Sequence, residues 1–113
     1  MKKIKVLIPN EIKEILEKDR LYCKKSMNNI YNKIVEHYLK NGINKVQIKI
    51  KTDSQIQFYL YDFLIDSYFK FLKENNYSSE SDFLRDIYYD YINKLKDERL
   101  NILNNNKGEN HAK

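Results

Sequence analysis

The segment KIKVLIP sets Lys3, Lys5 and Leu7 on one side of an alternation and Ile4, Val6 and Ile8 on the other. That is the period-two signature of a half-buried strand, and Pro9 ends it. From Asn10 onward the apolar residues Ile12, Ile15, Leu16 and Cys23 recur at helical spacing, with Asn10 as N-cap and Glu11 and Glu14 in the positive first turn. A polar break at Lys24 and Lys25 leads to Ser26 as a second N-cap. Ile30, Ile34, Val35 and Tyr38 then mark one helical face, and Asn41-Gly42 reads as its C-cap.

The order then restarts. KVQIKIK alternates Lys45, Gln47, Lys49 and Lys51 with Val46, Ile48 and Ile50, which predicts a second strand of the same kind. Thr52 or Asp53 is expected to cap a long helix running to about Glu74, and NNYSS breaks it. Ser78 or Ser79 starts the last helix, whose apolar positions Phe83, Leu84, Ile87, Tyr91, Ile92, Leu95 and Leu103 keep the helical period to about residue 103. The pattern predicts β-α-α twice, as one domain over residues 1–103 built from units 1–41 and 45–103, with 104–113 a flexible tail.

Composition agrees with a mainly α fold carrying one short ribbon. Of 113 residues 42% are hydrophobic, enough to build a core, while two Gly and one Pro are too few for a turn-rich β architecture. The single cysteine, Cys23, excludes an internal disulfide, and the absence of a signal-peptide pattern points to a reducing cytoplasm. Cys23, His37 and His111 lack zinc-ligand spacing, so neither metal nor cofactor is expected. The most apolar run, FYLYDFLIDSYFKFL, is interrupted by Asp62, Asp66 and Lys70, which argues against a membrane span. There is no Gly-rich phosphate loop, and the acidic pairs Asp62/Asp66 and Asp86/Asp90 fall at the i,i+4 spacing of solvated helix faces. The sequence therefore reads as no enzyme and as having no small-molecule substrate.

Charge changes the picture more. Residues 1–51 carry 13 Lys/Arg against 5 Asp/Glu, whereas residues 52–113 carry 8 against 11. A basic half of this kind implies a polyanionic partner approached from one face. Residues 2–5 and 45–51 together hold six Lys and no acid, an array that is costly unless something anionic meets it.

At this point the residues resemble the ribbon-helix-helix family of DNA-binding proteins, the Arc and MetJ repressor type. From Ile4 to Leu39, IKVLIPNEI…SMNNIYNKIVEHYL follows the family order of alternating strand, Pro, first helix, Ser-capped turn and second helix. In the second half SSESDFLRDIYYDYI resembles the family's second helix through Ser79, Ser81, Phe83, Leu84, Arg85 and Tyr91. Relative to the first unit, strand two is offset by 42 positions and the last helix by 53, so the first helix of unit two would carry about 11 extra residues, close to three turns. Leu7 departs from the polar residue the family often has at that place.

The resemblance implies a tandem pseudo-dimer (β-α-α-β-α-α) in which both strands of one antiparallel ribbon come from the same chain, joined by Lys40 to Asn44. Its outer face would enter the major groove of double-stranded DNA with Lys3, Lys5, Leu7, Lys45, Gln47 and Lys49 at the bases. Lys bonds guanine O6/N7 there, and Gln pairs with adenine N6/N7. Lys2 and Lys51, with Ser26, Met27 and Asn28 and with Ser79 and Ser81 at the starts of the second helices, would hold phosphates. The function implied is that of a transcriptional repressor, or of an accessory protein in plasmid transfer or partition.

The predicted long helix has a second apolar stripe, Phe58, Tyr61, Ile65 and Phe69, beyond the one its core needs. It points to self-association or a protein partner, unless the C-terminal helix covers it. That is the basis of an alternative function as a protein-interaction module, an antitoxin or a small phage-type inhibitor.

Overall fold

The first alternation does form a strand, β1 (Lys2–Ile8), because it buries Ile4, Val6 and Ile8 while Lys3, Lys5 and Leu7 stay in water. In the computed structural model, which describes residues 1–43 and 51–104, there follow α1 (Asn10–Cys23), α2 (Met27–Asn41), β2 (Ser54–Leu60), α3 (Asp62–Glu74), α4 (Glu80–Ile92) and α5 (Lys96–Asn104). Over the described residues the protein is mainly helical with one two-stranded antiparallel sheet, in the order β-α-α-β-α-α-α.

Two expected helices are corrected. The strand that pairs with β1 is Ser54–Leu60, so the predicted long helix from Thr52 or Asp53 does not form over its first turns. Strand geometry wins there because SQIQFYL also alternates, burying Ile56, Phe58 and Leu60 against the apolar face of β1, and only from Asp62 does the helical period take over. The expected strand over KVQIKIK lies, apart from Lys51, outside the described residues. The last helix is two: Asn93, whose side chain donates to the Tyr89 carbonyl, ends α4, and α5 sets out afresh at Lys96. The expected tail lies outside the described residues except Asn104, the last residue of α5.

The relocated strand brings the first two β-α-α stretches into step. Equivalent residues of the two halves are now 52 apart, from Lys2 and Ser54 through Pro9 and Tyr61 to Lys24 and Asn76, which share a left-handed φ of 55° and 57°. One added residue in the second turn places the caps Ser26 and Ser79 53 apart. No lengthened helix is needed, since the additional residues fall between α2 and β2. The register obeys the same relation: Lys5 faces Gln57, Lys3 faces Tyr59 and Leu7 faces Gln55. A two-fold axis through the Lys5–Gln57 rung therefore exchanges the other two rungs.

Both caps work as expected, Ser26 Oγ accepting from the Asn29 N–H at 3.1 Å and Ser79 Oγ from the Asp82 N–H at 3.2 Å. Asn10 does not cap α1. It is the first helical residue, after Pro9, and its N–H donates to Asp53 Oδ1 at 2.8 Å, so a residue expected to cap one helix serves another.

The halves interlock. α2 packs on β2 and α4 on β1, so each strand is covered by the second helix of the other half. The core is one cluster in which equivalent positions match: Ile12 with Leu64, Leu16 with Tyr68, Ile34 with Ile87, Tyr38 with Tyr91. Each such side chain withdrawn from water contributes roughly 1.5–3 kcal/mol. The free edge of each strand is sealed by the same helix position. Asn32 Nδ2 donates to the Tyr59 carbonyl at 2.8 Å and its Oδ1 accepts from the Tyr61 N–H at 2.8 Å; Arg85, its counterpart in α4, reaches the Leu7 carbonyl at 3.4 Å.

α5 lies on α1 and α2. Its Arg99 Nε donates to the buried Asp19 carboxylate at 2.9 Å, which also accepts from Tyr91 Oη at 2.7 Å, while Leu103 is fully buried. Among the described residues no helix is long and apolar enough to cross a membrane.

Candidate nucleic-acid interface

Because a strand's side chains alternate, burying Ile4, Val6, Ile8, Ile56, Phe58 and Leu60 forces Lys3, Lys5, Leu7, Gln55, Gln57 and Tyr59 onto the opposite face. All six are exposed, in three rungs: Lys3 beside Tyr59, Lys5 beside Gln57, Leu7 beside Gln55. No carboxylate is among them. The face offers ammonium donors, two primary amides that both donate and accept, a phenol and one aliphatic side chain. A twisted two-stranded ribbon fits the major groove, where these groups meet the acceptors and donors of base edges.

Of the residues expected at bases, Lys3, Lys5 and Leu7 are on this face, and Lys45, Gln47 and Lys49 lie outside the described residues. The β2 contribution is instead Gln55, Gln57 and Tyr59, which the sequence reading missed. Its signal was present in SQIQFYL, with Tyr61-Asp62 following as Pro9-Asn10 follow β1. The same segment also fits the helical stripe of Ile56, Leu60 and Leu64, which predicts a helix there.

The expected phosphate ligands divide. Lys51 is exposed just ahead of β2. Lys2 sits 3.6 Å from the Glu80 carboxylate and over the Phe69 ring, so its charge is already partly answered. Ser26 is exposed at the start of α2 and Met27 is half-buried. Asn28 is committed to the ribbon edge, its Oδ1 accepting from the Tyr59 N–H at 2.6 Å and its Nδ2 donating to the Tyr59 carbonyl at 3.2 Å.

The two flanks differ in sign. The turn before α2 carries Lys24 and Lys25, and the first turn of α2 has no acid. At the start of α4, beside Ser79 and the half-buried Ser81, stand Glu80 and Asp82. Hydrogen bonds from Ser78 and Arg85 hold the Asp82 carboxyl below the usual carboxylate range, so that end remains negative at neutral pH.

The expected partner stripe does not survive as one surface. Phe58 is a buried strand residue, Tyr61 and Ile65 are half-buried, and only Phe69 is exposed. Tyr61 Oη accepts from Asn29 Nδ2 at 3.3 Å, and its ring stacks on Phe63 at 5.8 Å between centroids. The stripe was read from a helix that begins only at Asp62, and strand geometry turns Phe58 inward.

No family model matches this chain, and no match was found among the curated proteins or the solved structures compared with it.

Proposed function

We propose that this chain is a sequence-specific double-stranded DNA-binding protein of the ribbon-helix-helix kind, a tandem pseudo-dimer that inserts its ribbon into the major groove. It would act by binding rather than catalysis, as a transcriptional repressor or an accessory protein in DNA transfer or partition. The observation that carries the reading is the outer ribbon face, where Lys3, Lys5, Gln55 and Gln57 stand exposed without an acid among them on a scaffold that buries the opposite face.

Two further features support it. Interlocked strands and helices give the ribbon, marginal on its own in water, a core to rest on, and hold its side chains in fixed register. The fifth helix adds to the family's order but packs on α1 and α2, so among the described residues it does not cover the outer face.

Gel shifts against duplex DNA at increasing salt test the proposal. We expect retardation that weakens steeply with salt, and a loss of affinity of roughly tenfold or more for Lys5→Ala with Gln57→Ala. Equal affinity for the double variant would reject the ribbon as the reading face, and no retardation at low salt would reject DNA as the partner.

A further inference from the structure

We infer that the ribbon takes one asymmetric duplex site in a single orientation, with Lys3 and Lys5 of β1 opposite guanines and Gln55 and Gln57 of β2 opposite adenines. The inference rests on the DNA-binding reading above and adds to it the kind of sequence bound.

The two-fold axis through the Lys5–Gln57 rung makes Lys3 the mate of Gln55, Lys5 of Gln57 and Leu7 of Tyr59. The backbone is therefore nearly symmetric while every outward side chain differs from its mate. A lysine ammonium only donates, and the major-groove edge of guanine offers two acceptors, O6 and N7. A glutamine amide both donates and accepts, matching the N7 acceptor and N6 donor of adenine. Turning the protein over about its axis would aim Lys3 and Lys5 at adenine amino groups, donor against donor. It would also leave guanine facing an amide with one acceptor too many.

The flanks of the ribbon are unequal as well. Asn28 ties the beginning of α2 to Tyr59 on the free edge of β2, while Glu80 meets Lys2 on the β1 side. Lys24 and Lys25 thus accompany β2, and Glu80 and Asp82 accompany β1. A backbone phosphate is drawn to one side of the ribbon and repelled from the other, so the protein grips the two phosphate strands unequally, while the choice between the two orientations falls to base chemistry.

Selection of bound fragments from random duplexes, followed by sequencing, is the test. The native chain should enrich a non-palindromic motif, guanines in one half and adenines in the other. Gln55→Lys with Gln57→Lys changes only exposed positions, and should shift the motif toward an inverted repeat with guanines in both halves. The reciprocal Lys3→Gln with Lys5→Gln should shift it toward adenines in both. An inverted repeat selected by the native chain, or an unchanged motif from both variants, overturns this inference while leaving DNA binding intact. Failure to enrich any sequence overturns the DNA-binding reading and this inference with it.

Discussion

The two halves of the molecule share a backbone plan and fill it differently. Near the end of α1 the first half places Asp19 and Arg20, where the second half, 52 positions on, has Phe71 and Leu72. Phe71 and Leu72 close their end of the core with apolar packing, Phe71 lying 5.2 Å from the Phe83 ring. Asp19 is buried and needs donors, which come from Tyr91 and from Arg99 on α5. That difference is why α5, which has no counterpart among the described residues, follows the second half. A polar position buried in one half is satisfied by a helix appended to the other, and Ile102 and Leu103 cover the gap.

The largest effect expected of this shared core is its loss in alkali. Burial pushes the Tyr31 phenol up to about 12, Tyr38, Tyr68 and Tyr91 higher still, and Tyr88 well above the usual phenol range, with Asp90, Glu80 and Asp19 adding to the shift at Tyr38, Tyr68 and Tyr91. A folded-state pKa above the unfolded one gives stability that is intact below about pH 10 and lost as pH rises toward the folded value, at about 1.4 kcal/mol per pH unit for each phenol. Five such groups should unfold the protein within a unit or two above pH 10, with phenolate absorbance and helical signal changing together. Two separate steps would mean that the halves unfold independently.

Next in size is Asp19→Ala, which leaves Arg99 and Tyr91 without their acceptor and should cost about 3–5 kcal/mol in urea denaturation. Phe71→Ala, at the equivalent but half-buried position, should cost less, about 2 kcal/mol. Equal losses would remove the distinction between the two ends of the core.

The edge seals come third. Asn32→Ala strips the Tyr59 carbonyl and the Tyr61 N–H of a buried partner and should cost about 1–3 kcal/mol, whereas Arg85→Ala, losing one long bond to the Leu7 carbonyl and a solvent-screened pair with Asp82, should cost under about 1 kcal/mol. Amide exchange at Tyr61 would report the difference locally.

The smallest effect separates the flanks. Lys24→Ala with Lys25→Ala should weaken duplex binding severalfold and reduce its salt slope by about one or two, whereas Glu80→Gln should leave it unchanged or slightly tighter.

Much of this was legible in the sequence. Period-two burial of Ile4, Val6 and Ile8, the caps at Ser26 and Ser79, and the helical face of Phe83, Leu84 and Ile87 all follow from local rules, and the structure keeps them. The second strand was not, because Ile56, Leu60 and Leu64 also fit a helical stripe. Choosing between the periods depends on what lies across the ribbon: Phe58 opposite Ile4 and Ile56 opposite Val6. Half of the reading face was hidden with it, since Gln55 and Gln57 count as outward only once that pairing is known. The placement of α5 beyond Asn93 likewise involves a long-range contact that no local period reveals, Arg99 with Asp19, 80 positions earlier.

The central claim, that the outer face of the ribbon meets DNA bases, is tested most directly by titrating the isotope-labelled chain with a duplex selected for binding and following its resonances. The account predicts that the side-chain amides of Gln55 and Gln57 and the signals of Lys3 and Lys5 shift first and most, while Leu95 and the α5 residues hardly move. Large shifts at α5 or along α3 with Gln55 and Gln57 undisturbed would contradict it.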